Sequence, residues 1–178
     1  MGLFFPAYKD VMVSGLKFSN VPRQLKFIPD RKSERQSPFH KNQRVVFAKL
    51  CHPDGTPFFG CPRTVLSRAI DDLKALGYEV KIGIEIEFIV VKMPSENPQL
   101  SGEPVLLEPI EFNNDSNLHS LVNQVDDFEE IYQLMQKNDI QIEAIHKECS
   151  AGQFEIVLKY GDVFKVLDNY YLAKEIIS

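Results

Sequence analysis

The chain has 178 residues, 44% of them apolar and 25% charged, with a formal net charge of −5 at pH 7. That length carries one domain with a real core rather than two comfortable ones, and the composition is that of an ordinary soluble globular protein. An acidic balance argues against nucleic-acid binding and against anionic membranes, both of which favour a basic face.

The basic run Arg31–Arg35, with His40 and Lys41 beyond it, is broken by Glu34 and Pro38 and reads as a solvated loop. Three cysteines, odd in number and without a CxxC pair, point to a reduced, cytoplasmic chain. Cys51-His52 lacks partners at zinc-ligand spacing. Pro6, Lys9, Asp10 and Lys17 interrupt the apolar residues of Met1–Asn20, so no signal peptide or membrane span is expected.

Met1 to about Gln43 reads as irregular, punctuated by Pro6, Pro22, Pro29 and Pro38. Arg44–Leu50 is a short apolar strand ending at the turn Pro53-Asp54-Gly55. Thr64–Leu76 predicts a helix: Val65, Leu66, Ala69, Ile70, Leu73 and Leu76 form one stripe, and Gly77 stands where a left-handed cap belongs. Tyr78–Val91 predicts a strand, with Val80, Ile82, Ile84, Ile86 and Phe88 alternating with Lys81, Gly83, Glu85 and Glu87.

Prolines from Lys92 to about Asn117 mark a long loop with one short strand at Val105–Glu108. Asp126–Lys137 predicts a helix burying Phe128, Ile131, Leu134 and Met135. Ile140–Glu148 and Gln153–Tyr160 are strands joined by a hairpin turn at Cys149–Gly152. Gly161-Asp162 opens a last helix with Val163, Val166, Leu167, Tyr170 and Ile177 on one face. It meets the end of the sequence with neither cap nor turn, which leads to the expectation of an incomplete chain.

Residues two apart on a strand share a face at about 7 Å, so Glu85 and Glu87 project opposite the apolar row, and Gly83 leaves room beside them. With the turn at Cys149–Gly152, Glu148 falls opposite Gln153 and His146 opposite Glu155. His146, Glu148, Gln153 and Glu155 then share one face, while Phe154, Ile156 and Leu158 share the other. Converging carboxylates suit a hard divalent cation beside phosphates. A solvated outer face is the plain alternative for either motif taken alone. No nucleophile constellation competes, and Cys149 reads as a small turn residue.

Gly-Ile-Glu-Ile-Glu-Phe at Gly83–Phe88 follows an amphipathic helix and precedes H-x-E-x₃-G-Q-x-E over His146–Glu155. Together these resemble glutamine synthetase. Gly55-Thr56-Pro57 leading to Cys61-Pro62-Arg63, and Phe27-Ile28-Pro29-Asp30 upstream, are also similar to stretches of that family. The resemblance runs from about Val21 to Asn169. It implies an α+β fold, the N-terminal half of a glutamine-synthetase-like catalytic domain with a largely antiparallel sheet and packed helices. Residues 1–178 would be one partial domain, an irregular segment over 1–43 leading into an α+β core over 44–178.

By resemblance, Glu87, Glu148 and Glu155 match ligands of the Mg²⁺ or Mn²⁺ ion that engages glutamate and ammonium. Glu85 matches a ligand of the second ion, on the ATP phosphates. Glu143 matches a nucleotide contact and His146 a phosphate-side histidine. Strict alternation puts Glu143 on the face opposite Glu148, so that role requires a bulge or a strand twist. The implied reaction is ATP-dependent joining of glutamate and ammonia through a γ-glutamyl phosphate, in a cytoplasmic homo-oligomer at full length.

The family's small N-terminal domain, the remaining second-metal ligands and the arginines for glutamate and phosphate have no counterpart here. The expectation is therefore a fragment inactive by itself. A non-catalytic or truncated relative that binds a metal or a partner is the alternative, and an unrelated α+β binding domain the third reading.

Overall fold

Alternating apolar and polar side chains pleat Lys81–Ile89 into a strand with one greasy and one charged face, and the rest of its unit is arranged around that division. The computed structural model describes residues 24–92, 107–112 and 118–178. They fall into two compact units, one of 24–35 and 44–80, the other of 36–43 and the described residues from 81 onward.

In the first unit, β1 (Lys26–Pro29) pairs antiparallel with β4 (Ala48–Cys51), Lys26 opposite Cys51 and Pro29 opposite Ala48. The stretch expected to be irregular thus holds a strand, whose partner lies too far along the sequence for a local pattern to reveal. Arg44–Leu50 is not one strand but β3 (Arg44–Val45) and β4, with β2 (Arg35–Gln36) preceding them. The break falls at Phe47, whose N–H donates to Ser33 Oγ at 2.9 Å and whose carbonyl accepts from Asp30 N–H at 2.8 Å. Those bonds replace ladder partners.

Asp30 also caps the 3₁₀ turn Arg31–Ser33 and meets Arg63 at 3.1 Å. Arg63 belongs to α1 (Pro62–Ala75), which opens on proline, a residue pre-set for the first helical position. Gly77 does take the left-handed conformation, φ +85°. The expected apolar stripe is not a buried face, however. Only Thr64 of this helix is buried, while Val65 and Leu76 stand 52% and 73% exposed. The small core of the unit is Leu25, Phe58 and Cys61, with Leu50 against it.

In the second unit, β5 (Lys81–Ile89), β7 (Gln153–Asp162) and β6 (Ile142–Lys147) form a three-stranded antiparallel sheet in the order β5-β7-β6. Ile86, Phe154, Ile156 and Leu158 make its dry face, the last three at 0–1% exposure. Burying each side chain of this size is worth about 1.5–3 kcal/mol. Phe128 of α3 (Val125–Lys137) packs against Phe154 with ring centroids 4.9 Å apart and planes tilted by 59°. Asp126 and Asp127 at the start of α3 and Lys137 at its end oppose the helix dipole.

A short helix, α2 (Leu118–Val122), precedes α3 and has no counterpart among the sequence expectations. Asp162 caps α4 (Val163–Ile177) by accepting from Lys165 N–H at 3.1 Å, and α4 packs on β5, β7 and α3. Its buried face is rotated from the one expected. Val163 and Val166 are buried with Asp168, Asn169, Leu172, Ala173 and Ile176, leaving Leu167, Tyr170 and Ile177 half-buried. Of the strand expected at Val105–Glu108, the first two residues lie outside the described residues, and Leu107 and Glu108 are not in a strand. Instead Val91 bridges Pro109.

Candidate active site

The polar face of the sheet gathers its acidic residues by register. Glu87 of β5 stands opposite Glu155 of β7, and Glu155 stands opposite His146 of β6, so the three form one rung across the strands. Glu85 is two residues back on the same face, opposite Val157. Beyond the other end of the rung, Glu148 N–H donates to Gln153 O at 2.9 Å, the pairing the hairpin turn predicts. Glu85, Glu87 and His146 are exposed, Glu148 is half-buried and Glu155 only 9% exposed.

Gln153 ties this face together. Its amide nitrogen donates to Glu87 Oε2 at 2.6 Å, and its amide oxygen accepts from Ser150 N–H at 3.2 Å. The side chain of one strand thereby fixes a carboxylate of the next to the hairpin turn.

Glu143 lies at an irregularity in the β6–β7 register between Ile142 and Ala144, so the alternation that would oppose it to Glu148 is broken there. A second irregularity, between Ile82 and Ile84, falls at Gly83. A Cβ at Gly83 would meet Tyr160 Cβ at 3.6 Å, an ordinary contact, so crowding does not demand glycine there.

The electrostatics agree with the register. Burial, and then the charges of Glu85, Glu148 and Glu87, hold the Glu155 carboxyl above its usual range, with His146 pulling the other way. Glu155 therefore sits in a field of like charge. Among the described residues no three His, Cys, Asp or Glu side chains are drawn close enough to hold a metal ion. The donor set still fits a hard divalent cation: carboxylate oxygens and one imidazole, in a site where negative charge raises a neighbour's proton affinity.

Lys147 and Glu111 were missed by reading the sequence. Lys147, between His146 and Glu148, turns to the dry side and is buried. Its ammonium meets Glu111 at 3.3 Å and donates to the carbonyls of Glu148 at 2.5 Å and Ser150 at 2.8 Å. Glu111 also accepts from Gly152 N–H at 2.8 Å and from Ser120 Oγ at 3.2 Å. A lysine at an inward-facing position of a strand was the available signal.

The fold is α+β, with an antiparallel sheet carrying an acidic face in its second unit. The sequence profile described as "Glutamine synthetase, catalytic domain" matches residues 59–178. The chain belongs to the glutamine synthetase family. It is 31% identical over 149 residues to the glutamine synthetase of Clostridium saccharobutylicum, covering 79% of this chain and 31% of that relative. It is 28% identical over 172 residues to a glutamate–isopropylamine ligase of a Pseudomonas species, covering 93% of this chain and 37% of the relative. The fold is similar to that of a solved GmaS/ADP complex, with TM-score 0.72 and 22% identity over 91% of this chain and 37% of that one. The chain thus spans about a third of the length of these proteins.

Proposed function

We propose that this chain supplies the acidic sheet of an ATP-dependent ligase that joins the γ-carboxyl of glutamate to ammonia. The rung Glu87–Glu155–His146, flanked by Glu85 and Glu148, carries this reading. In it, Glu87, Glu148 and Glu155 hold one Mg²⁺ or Mn²⁺ ion on the glutamate side, and Glu85 contributes to a second on the ATP phosphates. His146 faces the transferring phosphate and Glu143 contacts the nucleotide.

The glutamate γ-carboxylate forms a bond to the terminal phosphorus of ATP as the bond to ADP breaks. Ammonium gives up a proton, and the ammonia so formed attacks the acyl carbon, loses a second proton to leave the amide, and displaces phosphate. Divalent ions held by these carboxylates would supply neutralisation of the phosphate charge. The chain's own residues do the positioning: Gln153 fixes the direction of Glu87, and crowding by like charge makes Glu155 receptive to a cation. Work of this kind is mostly alignment and charge neutralisation, which is why acidic residues rather than a nucleophile dominate the face.

The whole enzyme is proposed to be a cytoplasmic homo-oligomer that binds no nucleic acid and no membrane. Among the described residues no helix is long and apolar enough to cross a membrane. The 178-residue chain is proposed to lack turnover by itself, because Glu85 leaves the second cation short of ligands.

Calorimetric titration with Mn²⁺ tests the site: weak binding is expected, lost in Glu87→Ala, and identical heats from both proteins would refute it. Phosphate release that requires ATP, glutamate and ammonium together, from this chain alone, would overturn the claim of inactivity. Replacing ammonium by isopropylamine in the full-length enzyme separates the proposed acceptor from a larger amine. The mass of the native polypeptide, detected with an antibody to this region, separates a long ligase from a short binding protein.

A further inference from the structure

We infer that Lys147 and Glu111 are a positioning pair. Their buried ion pair fixes the Cys149–Gly152 turn from the dry side of the sheet and so sets the separation of Glu148 from Glu87 and Glu155 on the other side. The inference rests on the proposed cation site for its consequence, but not for its geometry.

Lys147 is almost wholly removed from water, at 2% exposure, and Glu111 is largely so, at 14%. The Lys147 ammonium holds two carbonyls of the turn, at Glu148 and Ser150, and lies 5.7 Å from the centroid of the Phe154 ring. One oxygen of Glu111 takes the ammonium and the Gly152 N–H together, and the other takes the Ser120 hydroxyl. The turn is thus gripped at three successive points by two charges that compensate each other.

Gly152 completes the clamp. Its φ is +64°, its carbonyl accepts from Val90 N–H at 2.9 Å, and an added Cβ would lie 2.7 Å from Val90 O. The end of β5, Pro109 and the hairpin turn therefore meet with no space to spare. Glu148 is the first residue of this gripped segment, and Gln153, which holds Glu87, is the residue that follows it.

A buried ion pair is a poor way to add stability, because apolar side chains of similar volume commonly do as well or better. What it adds is direction: an ammonium with three donors and a carboxylate with two acceptor oxygens select one backbone geometry for the turn. Partners behind metal ligands typically change metal affinity by about 10–100-fold when removed. The pair has that relation to Glu148, acting through the peptide backbone.

The test uses the 178-residue chain and its double variant Lys147→Met/Glu111→Leu, which keeps the volume and removes both charges, so that neither is left buried alone. Thermal unfolding, amide hydrogen exchange, and Mn²⁺ binding by water-proton relaxation are measured on both. The expected result is a melting temperature within a few degrees of the parent, exchange at the Gly152 amide faster by about tenfold or more, and Mn²⁺ affinity lower by about tenfold. Parent-like exchange in the turn overturns the inference. So does a uniform loss of protection in step with a lowered melting temperature, which would make the pair a mere part of the core. If the parent chain itself binds no Mn²⁺, the cation-site reading fails, and exchange at Gly152 alone decides for or against the pair.

Discussion

The two faces of the β5-β7-β6 sheet are made by the same strands, yet they are held to opposite standards. On the dry face, Phe154 and Ile156 are fully buried and Phe154 packs against the tilted ring of Phe128. On the wet face, Glu155 lies between them in sequence and is surrounded by Glu85, Glu148 and Glu87, an arrangement that costs the folded chain free energy. The contrast teaches where each kind of free energy resides. The dry face stabilises the sheet, and the wet face spends part of that stability on a concentration of charge.

Phe154→Ala should break the contrast most severely. It empties a fully buried aromatic site and should cost about 3–5 kcal/mol in urea unfolding. Gly152→Ala comes next, at about 1–3 kcal/mol, because its Cβ would collide with Val90 O in a backbone conformation that L-residues avoid. A cost near zero would mean that the turn is looser than described.

Glu155→Gln should act in the opposite sense on the other face, stabilising the cation-free chain at pH 7 by about 0.5–1 kcal/mol while lowering Mn²⁺ affinity. The sign follows from the raised pKa: the folded state holds the Glu155 proton more tightly than the unfolded state does. Stability from this group is therefore full at low pH and is lost as pH rises from the ordinary carboxyl value, near 4.5, through the folded value. The variant should lack that decline, and an unchanged slope would sharpen suspicion of the other carboxylates. Smallest of all, Lys92→Ala removes a pair whose members are 51% and 56% exposed and should change stability by less than about 0.5 kcal/mol, a baseline for both faces.

What the sequence made legible follows from how far each signal travels along the chain. The alternation in β5 and the short hairpin β6–β7 are local, so the pairing of His146 with Glu155 and of Glu148 with Gln153 could be read from spacing alone. β1 could not, since a 3₁₀ turn and two short strands separate it from its partner β4 and the prolines around it suggest irregularity. The α1 helix was legible in extent, but its apolar stripe promised burial that its surroundings do not provide. Glu143 was legible only as a conflict with alternation, and the register shift beside it shows where alternation stops. Of the Lys147–Glu111 pair only the inward-facing lysine gave a signal, because Glu111 lies in a proline-rich stretch with no periodicity to place it.

The strand order has a kinetic corollary. β6 and β7 are neighbours in sequence, and a hairpin of that kind closes in about 1–10 μs. β5 must be brought in from far along the sequence: the Glu87–Gln153 hydrogen bond joins residues 66 apart. Contacts of such separation form late, after their loop-closure entropy has been met. His146, Glu148 and Glu155 therefore travel together on the early hairpin, whereas Glu85 and Glu87 arrive with the late strand. A chain caught halfway carries only part of the acidic constellation, so cation affinity would report on completion of folding as much as on chemistry.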